Sequence, residues 1–243
     1  GDFTGYLEID PTFTTSASSW YSTTTGATSS STCPSPTGIV SGQQTFLASS
    51  SYSGANQCTG TTPEYDISSL TGVVVSSVNL VNIDNTGSNS SPRVCDVRGV
   101  SSQPSTMTAS ELRTAQTTGT LYADDSTVCQ SITSGQTISL SNDAVTNIQN
   151  NIDSGDSWWG LSVIPDPFSR DGSHHYNSFN SIDIKITYQI PSVMADPPTS
   201  LTATDGLPIG LSWTAPSNFG SDGDGNAVTS LDGYKVARTQ SSN

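Results

Sequence analysis

The chain has 243 residues, 32% of them hydrophobic and 12% charged, and seven basic against 21 acidic residues give a net charge of −14. This length suffices for one large or two ordinary domains with a buried core. Because there is no basic stripe to neutralise phosphates, nucleic acid and anionic membranes are excluded as expected partners. The abundance of Ser, Thr, Asn, Gly and Pro favours short strands and turns, so we expect an all-β protein.

The first thirteen residues alternate between apolar and polar side chains, with apolar Phe3, Leu7, Ile9 and Phe13. This period of two is typical of a strand that buries one face. Two interpretations stay open. The segment is either the first strand of its own sandwich or an assembly strand donated to a sheet edge in the next subunit.

Four cysteines, Cys33, Cys58, Cys95 and Cys129, lack the spacing of a zinc site and predict two disulfides. Pairing of neighbours, Cys33 with Cys58 and Cys95 with Cys129, is favoured because each bond then closes a modest loop. Disulfides persist in oxidising compartments, so the protein is expected outside the cytoplasm, extracellular or on the cell surface.

Two features of the sequence indicate a glycosylated surface. Asn89 begins an Asn-Ser-Ser glycosylation sequon in a turn-like run, and the Ser/Thr-rich segment 14–32 is a candidate for flexibility or O-glycosylation. Trp20 and Tyr21 within that segment indicate that part of it packs as a strand. No apolar run approaches a membrane span and no signal segment opens the chain, which predicts a mature, processed protein.

A β-rich run follows, with one irregularity expected near Ser76. Its candidate core residues are Val73, Val75, Val78, Leu80, Val81 and Ile83. A second strand is expected in "RVCDVRGV", residues 93–100.

Two helices are expected. "TASELRTAQ" opens at Thr108 with the Thr-x-x-Glu pattern of a capping box. Ser141 can cap "NDAVTNIQNNI", in which Val145, Ile148 and Ile152 recur at helical spacing before "SGD" ends the helix.

Strict alternation in "SIDIKITYQI", residues 181–190, predicts a strand with one buried and one wet face. The apolar run "WWGLSVIPD", residues 158–166, is expected to pair with it as a hairpin in one sheet. The prolines of "PSVMADPP" predict a linker at 191–198, so the expected domains are 1–190 and 199–243.

Candidate ligand-binding residues are few. One candidate is a platform on which a sugar ring could stack, formed by Trp158, Trp159 and Tyr176. The alternative is that these side chains belong to the core, which is the more common position for aromatic residues. The adjacent His174 and His175 fit a solvent-facing loop better than a metal site, because neighbours on a strand point to opposite faces.

The run "SDGDGNA" places Asp222, Asp224 and Asn226 at the alternating positions of a calcium loop. The EF-hand pattern fails at positions six and twelve, so a calcium site is the alternative to a plain acidic turn. No other cofactor is predicted. No nucleophile, zinc or phosphate-loop motif of a known catalytic class appears in the sequence, so we expect no catalytic residues and no enzyme activity.

The order "YDISSL", "VVVSSVNL", a capped helix ending in "SGD", "WWGLSV", "SRDG" and "SIDIKITY" resembles the jelly-roll modules named DNRLRE, of extracellular archaeal and bacterial proteins. The resemblance spans residues 64–188, and the segment before Glu64 departs from it. It implies a sandwich like that of carbohydrate-binding modules, used in surface attachment or architecture, without catalytic residues.

"PPTSLTATDGLPIGLSWTAPSNFG" followed by "LDGYKVAR" resembles the first three strands of a fibronectin type III domain, with Trp213 and Tyr234 as core residues. Such a domain needs about seven strands. The missing strands are supplied by a longer chain, by the first domain or by a neighbouring molecule.

Together these features predict a non-enzymatic structural protein that is a subunit or module of a cell-surface filament, layer or adhesin. We expect it to self-associate into a homopolymer, and strand donation between subunits is one way in which it could do so. The alternative is a carbohydrate-binding accessory module of a secreted polysaccharide hydrolase, which would bind glycans.

Overall fold

The computed structural model describes residues 11–25, 33, 35–42, 44–52, 55–88, 93–130, 132–169, 174–190, 196, 198–204, 210–221 and 227–229. The chain divides into two compact units, Gly1–Gln189 and Ile190–Asn243. The division falls next to the proline-containing segment 191–198 that the sequence predicts as a linker.

The first unit is a sandwich of two antiparallel sheets with two short helices. Sheet A has the order β10-β7-β12-β4-β5, and β1 also pairs with β12. Sheet B has the order β3-β2-β6-β11-β8-β9. The strands are β1 Thr12–Ser16, β2 Ser19–Thr25, β3 Pro36–Ser41, β4 Thr45–Tyr52, β5 Ala55–Thr59, β6 Thr61–Asp66, β7 Val74–Ser88, β8 Cys95–Gly99, β9 Leu121–Ser126, β10 Thr133–Ser139, β11 Trp158–Pro165 and β12 His174–Gln189.

The core lies between the sheets and is built by alternation. Ile182, Ile184 and Ile186 of β12 are buried while Lys185 between them is exposed, as predicted. Each such side chain contributes about 1.5–3 kcal/mol on burial. The Tyr65 hydroxyl of sheet B donates to the Ile182 carbonyl of sheet A at 3.0 Å, so the sheets are also joined by a buried hydrogen bond.

Strand β7 carries the irregularity predicted near Ser76. Thr187 lies opposite Ser77 and Tyr188 opposite Val75, so Ser76 is an extra residue in the ladder. This bulge keeps both Val75 and Val78 on the buried side although they are three residues apart.

Val81 differs from the prediction because it is only half-buried, whereas Leu80 is fully buried. Adjacent strand residues point to opposite faces, so the two cannot share the core. A second register shift follows at Asn82, where φ is +48°, and returns Ile83 to the core.

Helix α1, Ala109–Thr118, begins with the predicted capping box between Thr108 and Glu111. The helix packs on the outer face of sheet B with buried Arg113 and Gln116 as well as Leu112. Gln116 donates to the Gly60 carbonyl at 3.1 Å, so its amide compensates for its burial with a hydrogen bond.

Helix α2, Asn142–Ser154, ends at Gly155 as predicted, and Ser141 occupies the predicted N-cap position, but its side chain makes no capping hydrogen bond. Gly155 has φ +77°, the left-handed conformation that glycine adopts without a Cβ penalty. The buried stripe consists of Ala144, Ile148 and Ile152, at a spacing of four residues. Val145, which shares the helical spacing of Ile148 and Ile152 in the sequence, is half-buried, and Ala144 takes the buried position in this turn instead.

The predicted hairpin between residues 158–166 and 181–190 is wrong. Strand β11 lies in sheet B between β6 and β8, whereas β12 lies in sheet A. Gly160 to Pro165 are buried without alternation, because α1 covers the outer face of β11 while its inner face meets the core. Strand β12 has one covered face, so the two belong to different layers.

In the second unit, β13 (Thr199–Thr204) and β14 (Gly210–Thr214) form an antiparallel hairpin. These match the first two strands expected from the fibronectin type III resemblance. The expected third strand, 231–238, lies outside the described residues.

Candidate functional site

Both disulfides have the predicted pairing. Cys33 is bonded to Cys58 on β5, and Cys95 on β8 is bonded to Cys129, with Cα–Cα distances of 5.5 and 5.8 Å. Cys129 lies in the short 3-10 helix Thr127–Gln130. Two such bonds indicate a protein that folds in an oxidising compartment. Separately, among the described residues no helix has both the length and the apolar character that crossing a membrane requires.

A buried cation lies beside the first disulfide. Arg113 of α1 donates to the Thr23 hydroxyl and to the Cys58 carbonyl, and its guanidinium lies 4.9 Å from the centre of the Phe168 ring. Burial lowers the pKa of Arg113 to about 10, so the group stays protonated at neutral pH. Arg113 therefore joins α1 to the disulfide-bonded strand β5.

The predicted aromatic platform is not assembled. Trp159 is fully buried and donates its indole N–H to Asn147 at 2.8 Å, so its ring offers no face to a sugar. Trp158 is half-buried on the opposite side of β11, and Tyr176 belongs to β12 in the other sheet. One of the two adjacent tryptophans thus points into the core, as the sequence indicated.

Several sequence-predicted site residues lie outside the described residues. They are Asn89 of the sequon, Asp222, Asp224 and Asn226 of the calcium-like loop, and Phe3, Leu7 and Ile9 of the assembly strand.

Phe13 is the member of the assembly strand that the structure describes. It lies in β1 opposite Ile186 of β12 in the same chain. The Tyr188 N–H also donates to the Pro11 carbonyl at 3.1 Å, so the ladder within the chain extends to Pro11. Only residues before Pro11 therefore remain as a donor segment.

The adjacent histidines do not occupy a loop. His174 and His175 begin β12, and His175 is buried with 5% of its surface exposed. The prediction of a solvent-facing pair is wrong for His175, because β12 begins seven residues before the alternating run 181–190.

The hairpin β13–β14 has one apolar face, formed by Leu201, Leu211 and Trp213. Ala203 pairs with Leu211, and Thr202 pairs with Ser212. Alternation then places Leu201, Leu211 and Trp213 on one side. Leu201 is 69% and Leu211 44% exposed, and Trp213 is half-buried. On the other side the hydroxyls of Thr202 and Ser212 lie 2.7 Å apart.

A group of carboxylates lies at the edge of sheet B. Oxygens of Asp96, Asp124 and Asp125 lie within 4.8 Å of one another, and Arg98 forms an ion pair with Asp96 at 2.7 Å. Loss of hydration beside the neighbouring groups and the Asp96 charge raise the pKa of both Asp124 and Asp166, although Asp124 is exposed. In the sequence only the adjacent pair Asp124 and Asp125 indicates this group. Asp96 joins them because β8 pairs with β9.

Sequence reasoning also missed Tyr122 and Asn147, which line a cavity of about 640 Å³ together with residues of α1. Tyr122 stacks on Trp159 with ring centres 6.1 Å apart. Neither residue belongs to a motif, and they meet only because α2 packs near β9.

Comparison of the chain with protein-family models and with curated proteins gives no match. The resemblances to DNRLRE modules and to fibronectin type III domains therefore depend on the residues quoted above.

Proposed function

We propose that the protein is a non-enzymatic extracellular structural protein, a subunit or module of a cell-surface filament, layer or adhesin whose copies associate through a donated N-terminal strand. In this proposal the sandwich is a jelly roll and the second unit is part of a fibronectin type III-like domain. The two disulfides and the acidic, hydroxyl-rich composition support an extracellular location.

The observation that carries the proposal is the exposed apolar face of the β13–β14 hairpin. Leu201 and Leu211 expose 69% and 44% of their surface, although both alternate with polar residues as core-facing residues do. A two-stranded hairpin is marginally stable in water without a covered apolar face. Its stability therefore calls for a further element packed on this side.

We assign the covering element to residues 3–9 of a second copy. In that segment Phe3, Leu7 and Ile9 alternate with polar side chains, so one face of the donated strand is apolar and matches the hairpin. The ladder of β1 within the chain includes Pro11, so the proposed donor consists of the residues before Pro11 and β1 stays paired with β12. Each copy gives and receives one strand, which produces an open polymer unless the rotation closes a ring.

The test compares adjacent residues on opposite faces of β14. Leu211→Asp places a charge on the apolar face and should abolish polymers seen by electron microscopy and sedimentation. Ser212→Asp adds the same charge on the polar face and should leave polymers intact. Equal polymerisation of the two variants, or a wild-type chain that stays monomeric at high concentration, would overturn the proposal.

A matched pair tests the donor segment. Leu7→Asp should prevent assembly, whereas Thr4→Asp, on the polar positions of the same segment, should permit it. Removal of residues 1–10 should also prevent assembly while the first unit melts as before, since β1 is retained. Polymers of normal length from this truncated chain would contradict strand donation.

The alternative, a polysaccharide-binding accessory module, relied on Trp158, Trp159 and Tyr176 as a stacking platform. Burial of Trp159 leaves that platform without support.

A further inference from the structure

The two disulfides of the first unit lie in opposite electrostatic surroundings. The Cys95–Cys129 bond is close to negative charge, because Cys95 is followed in β8 by Asp96 of the carboxylate group. The Cys33–Cys58 bond is close to positive charge, because the guanidinium of Arg113 donates to the Cys58 carbonyl at 2.5 Å. A nearby cation stabilises a thiolate and a nearby anion opposes it, so the two bonds should differ in reactivity.

The positive charge of Arg113 is paired with no carboxylate in the described part of the chain. Its partners are neutral, since the Thr23 hydroxyl accepts from Nε and Nη2 at 3.2 and 2.6 Å and the Phe168 ring lies against the guanidinium. Arg113 is only 9% exposed. Buried charges in proteins are ordinarily paired, because burial of an isolated charge is costly. An anion formed beside this guanidinium would therefore be stabilised.

The two sulfurs of the neighbouring disulfide differ in access. Cys33 is half-buried, whereas Cys58 on β5 is fully buried. A thiolate attacks one sulfur of a disulfide and expels the other, so the accessible Cys33 is the sulfur attacked and Cys58 is the leaving group. Phe168 joins the bond to the cation, because its carbonyl oxygen lies 3.4 Å from Cys33 Sγ and its ring contacts Arg113.

We propose that the Cys33–Cys58 disulfide is a thiol-exchange site, at which a thiol from outside the protein becomes bonded to Cys33. The incoming thiolate forms a new S–S bond to Cys33 Sγ as the Cys33–Cys58 bond breaks, and the electron pair of the broken bond stays on Cys58 Sγ. The attacking sulfur is oxidised and the Cys58 sulfur is reduced, so the step needs no other oxidant or reductant.

Arg113 stabilises the product of this step. The Cys58 thiolate forms beside the guanidinium and supplies the negative charge that the described residues do not. The step is reversible, because the same thiolate can attack Cys33 again and expel the bound thiol. Exchange involves the first unit alone and is independent of the proposed assembly through the hairpin.

The experiment uses the folded, unreduced full chain with reduced glutathione as the thiol probe. After short incubations, N-ethylmaleimide blocks free thiols, and peptide mass spectrometry identifies the state of each cysteine. We expect glutathione on Cys33 and maleimide on Cys58 while the Cys95–Cys129 bond stays intact. Earlier or equal opening of Cys95–Cys129, glutathione on Cys58 in place of Cys33, or no exchange at either bond would overturn the proposal.

Matched variants test the role of the cation. Arg113→Gln keeps a hydrogen-bonding side chain but removes the charge, so glutathione addition at Cys33 should slow about tenfold. Arg98→Gln removes the same charge from β8, where Arg98 pairs with Asp96, and should leave that rate unchanged. Arg113→Lys keeps the charge and should react at close to the wild-type rate.

The second disulfide separates loss of charge from loss of packing. If Arg113→Gln opens both disulfides together, its fold is impaired, and Arg113→Lys then decides the question. A folded Arg113→Lys variant that exchanges as the wild type does supports the proposal, and one that exchanges tenfold more slowly overturns it. Equal rates in Arg113→Gln and the wild type, or equal slowing in Arg113→Gln and Arg98→Gln, would also overturn it.

Discussion

Strand β12 and the β13–β14 hairpin have the same alternating pattern in sequence but end in different environments. Ile182, Ile184 and Ile186 of β12 are buried against sheet B, whereas Leu201 and Leu211 of the hairpin are exposed. Alternation therefore identifies which face of a strand is apolar, but it does not identify the element that packs on that face. In the first unit the chain itself supplies the covering layer, and in the second unit we assign that role to another copy.

The largest expected effect concerns the covered core. Trp159→Ala should lower the free energy of unfolding by about 3–5 kcal/mol, because it removes a fully buried ring that contacts Tyr65 and Tyr122. Trp158→Ala, one residue away and half-buried, should cost about 1 kcal/mol. Chemical denaturation of the two variants measures the difference, and similar losses would contradict the placement of β11.

Loss of a disulfide should come next. Replacing Cys95 and Cys129 by alanine should destabilise the first unit by about 2–4 kcal/mol in thermal or denaturant unfolding. The Cys33–Cys58 pair closes a loop of similar length, with separations of 25 and 34 residues, so the chain-entropy difference between the two is only about 0.3 kcal/mol. A much larger gap would mean that local contacts, such as Arg113 with Cys58, dominate.

The helix caps provide a smaller and closely matched test. Thr108→Ala removes the side chain that accepts from the Glu111 N–H and should cost about 1 kcal/mol. Ser141 precedes α2 without a capping hydrogen bond from its side chain, so Ser141→Ala should cost clearly less. Denaturant midpoints of the two variants decide this, and the reverse order would be inconsistent with the cap geometry.

The smallest effect is the pH dependence that arises from Asp166, a neighbour of the carboxylates of Asp96, Asp124 and Asp125. Partial burial and the Asp96 charge raise the pKa of Asp166, so the folded protein holds this proton more tightly than the unfolded chain does. Its ionisation therefore destabilises the fold at neutral pH, and this loss disappears as the pH falls through the raised pKa.

Asp166→Asn should accordingly raise the melting temperature at pH 7, with the gain vanishing in acid. Asp156→Asn, an exposed carboxylate outside the group, serves as the control. A gain that is independent of pH, or equal in both variants, would rule out this electrostatic cause.

Local features of the fold were predictable from particular residues. The Thr-x-x-Glu run predicts the start of helix α1, and the "SGD" run that contains Gly155 predicts the end of α2. The interrupted valine run predicts the bulge at Ser76. Each depends on contacts within a few residues, where spacing determines geometry.

Features that depend on distant partners were not predictable. The predicted pairing of β11 with β12 is wrong because the apolar run of β11 does not reveal that α1 covers its outer face. Tyr122 and Asn147 belong to no motif, and their juxtaposition requires the packing of α2 near β9. The carboxylate group likewise forms only when strand pairing brings Asp96 to residues 124–125.

The most direct test of the central claim is complementation between two assembly-deficient copies. Leu7→Asp impairs the donor and keeps the acceptor, whereas Leu211→Asp impairs the acceptor and keeps the donor. We expect each variant alone to sediment as a monomer and an equimolar mixture to form heterodimers without longer polymers. Polymers from either variant alone, or only monomers in the mixture, would contradict the assignment of residues 3–9 to the apolar face of the hairpin.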